Sequence, residues 1–149
     1  MVKYTDNDVI AFNSHLEQEP LTVIAVSMIV NRPIEEVACT NVDQLKQTIS
    51  ECKDVALLTG FVKPIDDQQL SVIYSQHMIT MIDFFDQMVK DGAIDAKEVV
   101  DRFGFGGVYF HNIEFKRYVA EFVFDQLIYE LDAWCHYNLG EEDYHQVGL

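Results

Sequence analysis

The chain reads as an all-α fold, a single-domain bundle of about six helices with a long C-terminal helix. Three observations predict it. Apolar side chains recur every three to four positions along most of the 149 residues, which is the period of a helix and not of a strand. The punctuation is sparse and well separated, at Pro20, Pro33, Gly60, Pro64, Gly92, Gly104-Phe105-Gly106-Gly107 and Gly140, with no repeat and no low-complexity linker between. The one run with strand character, Gly107 to His111, has no evident partner. A lone strand is not stable in water, so an extended loop is expected there.

Each helix follows from local chemistry. Thr5, with Asp6 and Asp8 behind it, is an N-cap with acids where the helix dipole favours them, and Val9, Ile10, Phe12 and Leu16 supply a short apolar face. Pro20 suits a first helical position, and Leu21 to Val30 is apolar nearly all round, as a buried helix would be. Pro33 opens a short turn through Ile34 and Val37. Thr40 or Asn41 caps a helix carrying Val42, Leu45, Ile49, Cys52 and Ala56, which Gly60 ends. The longest regular pattern is Leu70, Ile73, Tyr74, His77, Met78, Met81, Ile82, Phe85, Met88 and Val89, capped by Asp66 or Asp67 and ended by Gly92. Asp95 and Glu98 form a capping box for a short helix through Val99, Val100 and Phe103. Asn112 caps the last helix, about residues 113 to 137, with Gly140 beyond its end.

Composition narrows the function. A net charge of −15 argues against direct contact with nucleic acid or an anionic membrane, since both need clustered Lys and Arg, and only Lys116 and Arg117 are adjacent. Cys39, Cys52 and Cys135 are an odd number without short spacing, which fits reduced buried thiols in a cytoplasmic protein. Met1-Val2-Lys3-Tyr4 leads straight into Asp6 and Asp8, so no signal peptide is expected, and the apolar stretch Leu21 to Val30 is too short to span a bilayer.

Arrangements for chemistry are thin. Val108 and Tyr109 follow the Gly-rich run where a phosphate loop needs Lys and Ser or Thr. Asp132 and His136 stand four residues apart and the tail beyond Gly140 adds His145, but that tail reads as ordinary solvated sequence, so no metal and no cofactor are expected. Cys135 and His136 are adjacent on a helix, point about 100° apart, and do not face one another. His77, on the apolar stripe, reads as a core histidine with one hydrogen bond. No catalytic residue is assigned.

The last helix holds the clearest signal. After Arg117 there is no Lys or Arg, and seven Asp and Glu follow. Glu114, Glu121, Asp125 and Asp132 sit seven, four and seven residues apart, within roughly 40° of one another on a helix surface. Tyr118, Tyr129 and His136 share that face. Two readings stay open: a solvated face, or a surface for a protein partner with a basic or apolar surface. The partner-binding candidates are Glu114, Tyr118, Glu121, Asp125, Tyr129 and Asp132, with Phe105 and Tyr109 of the Gly-rich loop as a second docking element. Glu130 lies about 160° away among Val119, Val123, Leu127 and Trp134, so a buried, paired carboxylate is expected there.

One segment carries a resemblance. Glu19-Pro20-Leu21-Thr22-Val23-Ile24-Ala25 runs through Met28 to Arg32-Pro33-Ile34-Glu35-Glu36-Val37 and then Thr40-Asn41-Val42-Asp43-Gln44-Leu45. Over residues 19–58 this resembles the small acidic helical proteins of tailed phages, particularly tail-assembly chaperones, in which a buried helix is followed by a short turn and a capped helix. The resemblance implies a non-enzymatic assembly factor that shields a partner's apolar surface. The acidity alone supports a second expectation: an inhibitor, of the immunity or anti-defence kind, covering the basic site of a nucleic-acid-binding enzyme.

Overall fold

A computed structural model describes residues 2–57, 65–103 and 112–142. The protein is all-α, as the periodicity predicts. In chain order it has β1 (Val2–Lys3), α1 (Asp6–Glu17), α2 (Pro20–Val30), a 3₁₀ turn (Ile34–Glu36), α3 (Val42–Ala56), α4 (Asp67–Lys90), α5 (Ala96–Phe103), the long α6 (Ile113–Asn138) and β2 (Glu141–Glu142). α3 ends at Ala56 with Leu57 as its C-cap, short of the expected Gly60; Gly60 itself, the Gly-rich run and the 107–111 segment lie outside the described residues. The contacts fall into two compact units, Met1–Thr59 with Asp125–Leu149, and Gly60–Phe124.

In the first unit α1, α2 and α3 pack on one another. Thr5 caps α1 in a reciprocal box: its hydroxyl accepts from the Asp8 N–H and the Asp8 carboxylate accepts from the Thr5 N–H. Each satisfies a donor that the first helical turn otherwise leaves open. Pro20 opens α2, and Asn31 ends it at φ 54°, in the left-handed region that Asn tolerates better than most residues. Asn41 caps α3 by accepting from the Gln44 N–H, while the Gln44 side-chain carbonyl accepts from the Thr40 N–H at 2.7 Å. Phe12, Leu16, Leu21, Ala25, Val26, Val37, Leu45 and Cys52 are buried, each large one contributing about 1.5–3 kcal/mol.

A polar clamp ties the turn before α3 to α1. The Asn13 amide accepts from the Cys39 N–H and donates to the Cys39 carbonyl, both at 2.9 Å. That pair replaces the ladder bonds an irregular segment lacks. Just past Gly140, Glu141 and Glu142 pair antiparallel with the N-terminal residues, Val2 opposite Glu142 and Lys3 opposite Glu141, a two-residue pairing that carries no period to read in the sequence; the rest of that tail lies outside the described residues.

In the second unit Asp66 caps α4, accepting from the Gln69 N–H. Gly92, at φ 83°, carries the chain out beyond the Asp91 C-cap. Asp95 accepts from the Lys97 N–H at the start of α5, and Asn112 accepts from the Glu114 and Phe115 N–H groups at the start of α6. The regular pattern over α4 needs correction at its middle. His77 has φ −127° and ψ 19°, a kink where the sequence has neither Pro nor Gly. His77 is half-buried rather than a core residue, and Met78 and Ile79 beside it are exposed. Leu70, Ile73, Tyr74, Met81 and Phe85 are the residues of α4 that are buried.

Rings dominate this second unit. Phe115 and Tyr118 of α6 meet Phe85 of α4 edge-on, with centroids 6.0 and 5.9 Å away, and meet Phe103 of α5 at 5.2 and 5.3 Å. Edge and offset contacts align the positive ring edge with the negative face, contributing roughly 0.5–1.5 kcal/mol per pair beyond burial. The Arg102 guanidinium lies 5.1 Å from the Phe103 centroid and 5.2 Å from that of Tyr118. Arg117 donates to the Ile65 carbonyl at 2.6 Å and to Asp67 at 2.8 Å. With Asp67 69% exposed, that ion pair positions α6 on the start of α4 more than it stabilises either.

Candidate protein-interaction face

The predicted acidic face of α6 divides by burial. In its first part Glu114 is exposed in the opening turn, where the helix dipole favours a carboxylate. Tyr118 is 8% exposed and belongs to the ring cluster, so it is a packing residue and not a contact surface. Burial, then the Glu98 carboxylate, push its phenol above the usual tyrosine range, with Arg102 opposing them. Glu121 is half-buried. In the second part Asp125 and Asp132 are half-buried, while Tyr129 is 60% exposed. Phe105 and Tyr109 lie outside the described residues.

A second exposed aromatic joins Tyr129, one that the acidic spacing overlooked. Tyr137 is 82% exposed and its ring meets His136 edge-on at 5.0 Å. Tyr129, Ala133 and Tyr137 recur every four residues, so the three turn slowly across one outer face with a small residue between two rings. The signal lay in the sequence as an i, i+8 aromatic pair, hidden because the carboxylates drew the eye to a face turned partly inward. Glu130, expected to be buried, is exposed on this outer side and accepts from the Gln126 amide at 3.3 Å. The buried residues of this part of α6 are Leu127, Ile128, Leu131 and Cys135, so the inward arc passes Glu130 by.

Beside Asp132 lies a depression of about 160 Å³ lined by Tyr4, Ile49, Lys53, Asp132, Cys135, His136 and Leu139. Lys53 brings a cation to the same depression as Asp132. The buried thiols of this unit are poor nucleophiles. Burial, then the Glu51 and Asp132 carboxylates, push Cys52 up to about 12. Burial also raises Cys135, helped by Cys52 and Asp132, and raises Cys39 against the lowering effect of Thr48 and Arg32. A thiol held protonated at neutral pH neither attacks nor ligates readily. Among the described residues, no three His, Cys, Asp or Glu side chains gather closely enough to hold a metal ion. No helix there is long and apolar enough to cross a membrane.

Comparison with protein-family models, with curated proteins and with solved structures finds no match. The function therefore rests on the surface itself.

Proposed function

We propose that this chain is a non-enzymatic protein-interaction factor of the phage-assembly type, and that the outer face of the second part of α6 is where its partner docks. The observation that carries the reading is the exposure of Tyr129 and Tyr137, 60% and 82%, on one helix with Ala133 between them. Tyrosines offer large contact area for little lost side-chain freedom and a hydroxyl for orientation, which is why they concentrate at binding hot spots. Glu130, exposed beside them, and Asp132, half-buried, add negative charge. The partner surface is accordingly apolar at its centre and basic at its rim.

The net charge of −15 favours a second reading, an acidic inhibitor seated on the basic site of a nucleic-acid-binding enzyme. Salt separates the two. An inhibitor held by charge loses affinity steeply as ionic strength rises, and an assembly factor held by apolar contacts does not. The test is cross-linking in the native host from a photoreactive residue placed at Ala133, followed by affinity measurement with the captured partner. Tyr129→Ala and Tyr137→Ala should each weaken binding at least about tenfold with unchanged circular dichroism. Undiminished binding by both variants would remove this face from the function.

A further inference from the structure

A cleft of about 200 Å³ lies between the C-terminal turn of α2 and one face of α3, lined by Val30, Arg32, Gln44, Gln47, Thr48 and Glu51. Its wall on α3 is regular: residues 44, 47, 48 and 51 are spaced as successive positions on one helical face. Facing them is Arg32, whose placement is over-determined. Asn31 turns the chain at φ 54°. The Arg32 N–H then donates to the Ser27 carbonyl at 3.3 Å, and the Ser27 hydroxyl donates back to the Arg32 carbonyl. The guanidinium donates from Nη2 to the hydroxyl of Thr48, a residue only 1% exposed, at 3.3 Å.

Three side chains define the chemistry of this cleft. Arg32 is half-buried in a strongly acidic chain, yet among the described residues no carboxylate pairs with it. A guanidinium has five N–H donors; Thr48 and the Cys39 sulfur engage part of them, and the rest are open to a ligand. The Gln44 side-chain carbonyl is taken by Thr40, so its amide N–H groups are what it can offer a ligand. Glu51 lines the same cleft without pairing to Arg32. A lone anion would meet Glu51 and a lone cation would meet Arg32, each a repulsion in a partly desolvated site. A molecule carrying both charges complements both residues. A cleft of about 200 Å³ suits a molecule with few heavy atoms.

We infer that this cleft binds a small zwitterion of the α-amino acid class, with Arg32 and the Gln44 amide on its carboxylate and Glu51 on its ammonium. The site is separate from the outer face of α6 and does not depend on it. The test is titration of the full chain with L-alanine, acetate and methylammonium, followed by amide shifts in ¹⁵N NMR. L-Alanine should give saturable shifts confined to residues 30–32 and 44–51, and the two half-ligands should bind at least about tenfold more weakly. Arg32→Gln and Glu51→Gln should each weaken L-alanine about tenfold or more. Should Arg32→Gln disturb helicity by circular dichroism, Glu51→Gln, which changes charge and little else, decides the question. Acetate binding as well as L-alanine, an unaffected Glu51→Gln, or no saturable shift would each overturn the inference.

Discussion

Tyr118 and Tyr129 stand eleven residues apart on one helix, about 20° from the same phase. One is 8% exposed and the other 60%. Tyr118 is covered because Phe85 of α4 and Phe103 of α5 come within 5.9 and 5.3 Å of it. Val119 and Glu130 make a second such pair, eleven apart, the valine fully buried and the carboxylate exposed. The first part of α6 packs against rings, whereas the second adds aliphatic side chains and the Cys135 thiol to the buried residues of its unit. Helical phase sets which residues share a face; the neighbours along that face set which of them ever meet water.

The sharpest way to break this contrast is to truncate both tyrosines. Tyr118→Ala should cost about 3–5 kcal/mol in denaturant unfolding, and Tyr129→Ala should stay within about 0.5 kcal/mol. Equal costs would mean that burial is not what separates them.

Alkaline pH probes the thiol side of the comparison. Cys52 is raised in the fold from an ordinary 9.0 to about 12, so the unfolded chain loses its proton first. Its stabilising contribution is complete below pH 9 and declines by about 1.4 kcal/mol per pH unit as pH rises through that window. Trp134, the single tryptophan, lies in the same unit and stacks on His15 with centroids 4.0 Å apart. Its fluorescence should show the unfolding midpoint falling above pH 9, and Cys52→Ala should make that dependence shallower, with the raised Cys135 and Cys39 thiols keeping the remainder. A slope unchanged by the substitution would assign it elsewhere.

Asn13→Ala tests whether the clamp on Cys39 matters to the first unit. Both Cys39 backbone groups would lose their partner in a part-buried setting, so a cost of about 1–3 kcal/mol is expected from chemical denaturation. Asn13→Asp should recover part of it, since a carboxylate still accepts from the N–H. The smallest effect belongs to Glu130→Ala. The isolated apolar-face reading called for roughly 1–3 kcal/mol, whereas an exposed side chain held by Gln126 alone predicts less than about 0.5 kcal/mol.

Much of the fold was legible because its signals are local. The caps at Thr5, Asn41, Asp66, Asp95 and Asn112 and the helix start at Pro20 are all found where side-chain chemistry puts them. The kink at His77 was not, because no breaker residue marks it. The candidate site was half legible. Spacing placed Tyr129 and Asp132 on one helical side, but ranked Tyr118 equally with them and passed over Tyr137. Arg32 drew notice only as part of a Pro-containing turn; its cleft is assembled from two helices with Ser27 and Thr48 holding it, a relation no linear spacing encodes.

Helix positions, their caps and the acidity of the chain were set by the order of residues, because a helical turn spans only four positions and its hydrogen bonds close within them. Which side of α6 faces water, where Glu130 points and how Arg32 comes to face Glu51 were decided in three dimensions. Burial depends on atoms contributed by distant segments, and those distances exist only once the chain has packed.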